Sequence, residues 1–204
     1  MRAMKMPRLA LLIICLTLGS NNSFSAEPAP PNTRTQLKLL TPYGLGGLSA
    51  ALTVIDRVNG TCFTQSLASA SRPDAWRCTA GNAILDPCYQ SVLGDGKELA
   101  CPVSGPWSAN VVLLTLTAPL PPETRKELSR DNTAPWAIEL ANGQRCSLFT
   151  GATPPVAGMR INYGCPGGSQ AIGDIDRNQP VWRVFFQGEK SIALEQMDVK
   201  VAWF

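Results

Sequence analysis

The chain of 204 residues contains no histidine. That absence closes several chemistries, because Ser-His-Asp and Cys-His catalysis, HExxH zinc proteolysis and CxxCH haem attachment all need an imidazole. No Ser-x-x-Lys occurs, so a lysine-assisted serine nucleophile is missing too. No CxxC pair is present, and zinc sites rely on that spacing with histidine to complete them. The acid/base groups that remain are carboxylates, amines and tyrosines. No metal or other cofactor is expected. Helical periodicity is also nearly absent. Its best stretch, residues 122–129, has Pro122 at its start followed by Glu123, but is only about two turns long.

Residues 1–25 have the three-part pattern of a secretory signal. Arg2, Lys5 and Arg8 form a positive start, and residues 9–18 are an apolar run too short to span a bilayer comfortably. Ser23, Ser25 and Ala26 then offer small residues, placing cleavage near Ser25 or Ala26 and the product in the periplasm or outside the cell. Cys15 follows Ile14, where a lipoprotein signal needs a small residue, so Cys15 is read as part of the apolar run. Without Arg2, Lys5 and Arg8 the 18 basic residues fall into balance with the 15 acidic ones. The remainder has no basic run with which to displace phosphate counterions, so nucleic acid is not an expected partner. It has no transmembrane segment either.

Six cysteines lie beyond the leader: Cys62, Cys78, Cys88, Cys101, Cys146 and Cys165. An even number in an exported chain reads as disulfides. Sequence alone does not choose among the possible pairings. Near-neighbour pairing (Cys62–Cys78, Cys88–Cys101, Cys146–Cys165) is the expectation because it closes three short loops, each contributing about 3 kcal/mol in the chain-entropy model.

Residues 26–38 include Pro28, Pro30 and Pro31 and read as a flexible lead-in. Residues 39–204 then alternate short apolar segments with Gly, Pro and Asn breaks, which predicts an all-β domain: a single disulfide-stapled sandwich or partly closed barrel with little helix. Residues 48–58 read as a strand meeting a turn at Asn59-Gly60. Residues 110–118 form the strongest strand, apolar on both faces and therefore central. Residues 136–140 and 145–150 flank Asn142-Gly143, a hairpin signal. Residues 159–163, 181–186, 191–194 and 199–204 complete the strands. Two tandem subdomains split near Pro119-Leu120-Pro121-Pro122 are the alternative, although the halves show no alignable repeat.

Four segments invite a functional reading. Asp174, Asp176 and Asn178 alternate like the opening of a calcium loop, but Gln179 and Phe185 stand where such a loop needs Gly and an acid. A turn explains them as well. Gly44-Leu45-Gly46-Gly47 lacks the lysine and spacing of a phosphate loop. Arg72, Asp74, Trp76 and Arg77 form the candidate binding loop, since Trp and Arg often dominate interfaces. Its structural alternative has Trp76 packed over a disulfide while an arginine pairs with Asp74. For catalysis only paired acids remain. Asp56, Asp74, Asp86, Glu139, Asp174 and Asp176 are the candidates, with no spacing that selects two; Asp86-Pro87 reads as ordinary turn chemistry.

Several stretches taken together resemble a known type of domain: Gly60-Thr61-Cys62-Phe63, Arg72 to Cys78, Gly81-Asn82, Asp86-Pro87-Cys88-Tyr89, Pro135 to Gly143 with Cys146, and Asn162-Tyr163-Gly164-Cys165. Their order is similar to that of a cysteine-bearing extracytoplasmic domain of bacterial exported proteins of unknown function, many of them actinobacterial. The resemblance implies an envelope or secreted location and brings no activity or catalytic residue with it. The expected function is a non-catalytic binding domain for a protein or cell-envelope component, including inhibitor or immunity types. The alternative is a carboxylate-dependent hydrolase of envelope glycans.

Overall fold

The structure, a computed structural model, describes residues 33–91, 93, 95–122 and 128–204. The expected signal peptide, the lead-in up to residue 32 and most of the helical stretch at 122–129 lie outside the described residues. The chain runs through β1 (Gln36–Lys38), β2 (Tyr43–Gly44), β3 (Gly47–Leu48), β4 (Thr53–Gln65), β5 (Ala75–Ala80), β6 (Ala83–Gln90), β7 (Glu98–Pro102) and β8 (Asn110–Leu116). It continues through β9 (Ala137–Leu140), β10 (Arg145–Leu148), β11 (Pro155–Val156), β12 (Met159–Gly164), β13 (Gln170–Asp176), β14 (Trp182–Gln187) and β15 (Glu195–Trp203). Among the described residues, helix is confined to single 3-10 turns at Arg130–Asn132 and Pro166–Gly168. The fold is all-β, as the scarcity of helical periodicity implied.

Strands β4 to β8 close into a barrel. Each is antiparallel to the next, and with an odd number of strands the last runs in the direction of the first, so β8 closes on β4 in parallel. Strands β9, β10, β12, β13, β14 and β15 repeat the same up-and-down path with an even number, and β15 therefore closes on β9 antiparallel. Two rings result where one sandwich or partly closed barrel was expected, and Pro119 to Pro122 lie in the stretch between them. Closure leaves little open strand edge, which is what such rings achieve.

The lead-in is docked from Thr35 onward rather than flexible to residue 38. Thr35 is buried, its Oγ1 donates to the Val199 carbonyl at 2.7 Å, and it accepts from the Trp182 N–H at 2.8 Å. These bonds deliver Gln36–Lys38 to β15 as a parallel strand, end to end with β14 on the same edge. Three further corrections concern the strands. Asn59-Gly60 is not a turn, because β4 passes straight through it. Gly60 is needed there for close packing: a Cβ would lie 2.2 Å from the Thr79 carbonyl oxygen and 2.9 Å from Leu114 Cδ1. Residues 191–194 form the loop before β15, not a strand. Trp76, Arg77 and Cys78 stand on β5, not in a loop. The hairpin at Asn142-Gly143 and the central strand β8 are present as expected.

The cysteines pair as Cys62–Cys78, Cys88–Cys101 and Cys146–Cys165. Their Cα atoms are 3.8, 4.1 and 4.2 Å apart; the first two pairs bridge adjacent strands, and the third joins β10 to the residue that follows β12. In a meander, neighbours in sequence are neighbours in space, and that is why local pairing is satisfied. The first ring packs Trp76, Leu99 and Leu114 around Cys62, Cys78, Cys88 and Cys101. The second packs Ile138, Leu140, Tyr163, Val184, Phe186, Val199 and Phe204. A third cluster joins Ala68 and Trp107 of the first half to Trp136, Ala137 and Trp203 of the second, forming a seam.

Candidate functional site

Trp76 is 3% exposed and packs among the cystines of the first ring. Strand alternation turns its indole inward, because Cys78, two residues on, must point the same way to reach Cys62. The expectation of a binding loop that presents Trp76 is corrected accordingly. Its neighbours are used structurally as well. Arg72 grips Asp74 with two hydrogen bonds of 2.8 and 2.6 Å, donates to the Leu40 carbonyl at 2.9 Å, and lies 5.0 Å from the Tyr89 ring centroid. Burial works against the Arg72 charge, but the bonds to Asp74 and its charge outweigh that, and the guanidinium is held more firmly protonated than usual. The pair fixes the turn that leads into β5.

Arg77 points the other way, toward the seam. Its Nη1 donates to Asp86 Oδ2 at 2.9 Å and to Thr150 Oγ1 at 2.8 Å, so one side chain ties β5 and β6 to the segment after β10. Asp86 also accepts from the Ser66 hydroxyl and from the Leu67 N–H. Burial raises the Asp86 carboxyl above the usual carboxylate range; the Ser66 hydrogen bond, the Arg77 charge and the backbone N–H groups of Ala68 and Leu67 oppose it only in part. Asp86 is therefore the anchor of a buried ion pair on β6 rather than a turn residue. Sequence reasoning passed over it because Asp-Pro is a turn signature, yet a lone acid within the largely apolar stretch Ala83–Gln90 was the signal available.

Three exposed apolar residues lie against this ion pair or next to groups that bond it. Phe63 (52% exposed) is the extra residue of a bulge in β4, and its ring centroid lies 6.0 Å from the Arg77 guanidinium. Leu67 (44%) follows the serine that holds Asp86, and Phe149 (43%) precedes Thr150. The Phe149 ring rests on Gly164, where a Cβ would meet it at 2.4 Å. Phe63 is thus the exposed apolar group set against a largely buried cation, while Leu67 and Phe149 adjoin groups that bond the pair. The sequence marks Phe63 only as the end of the Gly60-Thr61-Cys62-Phe63 stretch and does not single out Phe149; the bulge in β4 and the bond from Arg77 to Thr150 bring them near the ion pair.

Of the acids considered for catalysis, Asp74, Asp86 and Glu139 are occupied by Arg72, Arg77 and Arg145. Asp174 and Asp176 project from one face of β13 and, with Asp131, line a groove of about 470 Å³. Asp174 accepts from the Asn162 amide at 3.3 Å, and Asp176 accepts from the backbone and side chain of Asn178 at 3.0 and 2.8 Å, which is a capped turn. Among the described residues no cluster of three or more His, Cys, Asp or Glu is placed to hold a metal ion. Among them, too, no helix is long and apolar enough to cross a membrane.

Comparison of the chain with protein-family models, with curated proteins and with solved structures finds no match in any of the three.

Proposed function

We propose that this protein is an exported binding module, without catalysis of its own, that meets a protein partner through the seam between its two rings. The observation that supports this reading most directly is exposed Phe63 set against the Arg77–Asp86 pair, with exposed Leu67 and Phe149 adjoining the groups that bond that pair. Exposed aromatic and aliphatic groups near an arginine are the composition of interface centres. The scaffold beneath is stiff, being two closed meanders stapled by three disulfides. Stiffness lets a surface bind without losing much conformational entropy. An oxidising compartment follows from the disulfides, and with the signal-like residues 1–25 and the resemblance to bacterial exported domains it supports a periplasmic or secreted location. An inhibitor or immunity protein fits this reading, because blocking a hydrolase requires only a complementary rigid surface.

The test is capture from a cell-envelope extract with three baits: the oxidised protein, the Phe63→Ser/Phe149→Ser variant, and the reduced, alkylated protein. Both phenylalanines are about half exposed, so the variant keeps its fold. A protein retained by the first bait and lost from the other two is the expected result. Equal retention by the first two baits removes the seam patch from the proposal.

A further inference from the structure

The six half-cystines differ in exposure. Cys78, Cys88 and Cys146 are wholly buried, and Cys101 and Cys62 are 1% and 7% exposed. Cys165 alone is partly exposed. It follows β12 and leads into the 3-10 turn Pro166–Gly168, whose three residues are all exposed, so the turn brings solvent up to this one half-cystine. Its partner Cys146 belongs to the core of the second ring. The carboxylate beside the turn, Glu189, is paired with Lys190 at 3.5 Å, which offsets part of its repulsion of an incoming thiolate. Thiol–disulfide exchange requires access to a sulfur, and exposed disulfides are the labile ones. By that measure the Cys146–Cys165 bridge is open to attack at Cys165, and both bridges of the first ring are shielded.

This bridge holds the thinnest junction of the second ring. β10 and β12 share two registered positions, Ser147 with Gly164 and Leu148 with Tyr163, whereas the other neighbouring strands of the ring share three to five. Residues 149–158 between them are also the longest connection of that ring, so no tight turn fixes their register. Beyond the ladder the Phe149 N–H donates to the Asn162 carbonyl at 2.8 Å, and Arg160 donates to the carbonyls of Phe149 and Gly151 at 2.7 and 2.6 Å. The Phe149 ring rests on Gly164, the residue before Cys165, and Thr150 is bonded to Arg77. The bridge therefore lies one residue from the contact that seats the second-ring part of the seam.

We propose that the Cys146–Cys165 disulfide is a thiol-sensitive catch: an external dithiol reduces it ahead of the other two bridges, and its loss loosens the β10–β12 junction with the seam segment Phe149–Thr150. One thiolate of the dithiol bonds to Cys165 Sγ as the bond to Cys146 Sγ breaks, and Cys146 leaves as a thiolate that takes up a proton. The second thiol of the dithiol then displaces Cys165 as a thiol, so the dithiol is oxidised by two electrons and the protein is reduced by the same two. The remaining ladders of the ring and the Arg160 bonds stay in place, which keeps the loosening local. The effect of the catch on binding rests on the reading of the seam given above; the order of reduction does not.

The experiment titrates the full oxidised protein with dithiothreitol, blocks the freed thiols by alkylation and maps them by mass spectrometry, with hydrogen exchange read on the same samples. Cys146 and Cys165 are expected to be labelled together, at reductant concentrations about tenfold or more below those that label Cys62, Cys78, Cys88 and Cys101. Exchange should then quicken at residues 147–150 and 162–164 and stay unchanged at 75–80 and 98–102. The Cys146→Ala/Cys165→Ala variant should show the same exchange pattern without reductant. Labelling of a first-ring cystine first, or of all six of these cysteines at one concentration, overturns the proposal. So does early labelling of Cys146 and Cys165 with exchange at 147–150 unchanged. None of these readouts needs a partner, so a failure of the seam reading, seen as no protein captured, stays distinct from a failure of the catch.

Discussion

The two rings follow the same meander but are filled differently. In the first, four of the seven residues of the buried cluster are half-cystines, with Trp76, Leu99 and Leu114 as the large apolar members. In the second, the one disulfide joins a core of aliphatic and aromatic side chains, including Ile138, Leu140, Tyr163, Phe186 and Phe204. Sulfur bridges take up core volume in the first ring that side-chain burial supplies in the second. An interior with fewer large side chains gains less from the hydrophobic effect and depends more on cross-links that restrict its unfolded state, although Tyr89, Val111 and Leu113 are buried elsewhere in the same ring. The first ring also carries the buried ion pair and exposed Phe63, so the larger share of the surface proposed to bind lies on the ring held by two disulfides.

That comparison can be broken most directly at the cystines. Replacing all four cysteines of the first ring by alanine should unfold it while the second ring persists, with a loss of about 6 kcal/mol or more from two closed loops. The Cys146→Ala/Cys165→Ala variant should lose about 3 kcal/mol and remain folded throughout. Hydrogen exchange read ring by ring, alongside denaturant titration, would show which ring opens. Equal sensitivity of the two rings would mean that their fillings are equivalent.

The ion pairs give a smaller contrast. Arg77 and Asp86 are 14% and 5% exposed, whereas Arg183 and Asp198 on the second ring are 52% and 49% exposed. Arg77→Ala should cost about 3 kcal/mol, because it strands a buried carboxylate and also removes the tie to Thr150. Arg183→Ala should cost less than about 1 kcal/mol. Chemical denaturation of the two variants at neutral pH checks the order.

The smallest difference between the rings belongs to the tyrosines, on which they should agree. Tyr89 donates to Ser69 at 3.3 Å and Tyr163 to the Pro135 carbonyl at 2.9 Å; burial raises both phenols well above their usual range. Tyr43 is also raised by burial, to about 12. A phenol whose pKa is higher folded than unfolded lends stability that is complete below about pH 10. That stability is lost as pH climbs through the folded value. Ultraviolet titration should therefore show no phenolate at pH 10, a first ionisation from Tyr43 near 12, and the other two only as the fold is lost. Tyr89→Phe and Tyr163→Phe should each cost about 1 kcal/mol at neutral pH. Early ionisation of either ring tyrosine would show that its ring is open to solvent.

Legibility followed the range of the interactions. The all-β class, the hairpin at Asn142-Gly143, strand β8 and the near-neighbour disulfides rest on local pattern and short loops, and the structure contains each of them. Asn59-Gly60 misled because the same dipeptide that makes a turn also permits the close approach of the Thr79 carbonyl inside a strand. Trp76 misled because a composition suited to interfaces is equally suited to a core, and only the alternation along β5 decides which way the indole faces.

By itself, then, the sequence determined the chemistry closed to this protein, its strand-and-turn character and its cross-links, because each depends on residue identity or on neighbours along the chain. Tertiary structure decided what no local window contains. Strand parity closed one ring in parallel and the other antiparallel. The bulge in β4 put Phe63 beside Arg77, the meeting of the rings bonded Arg77 to Thr150, and the docking of β1 put Arg34 and Arg177 on one groove. These contacts join residues from different strands or segments, and their energies depend on burial that exists only once both rings have closed.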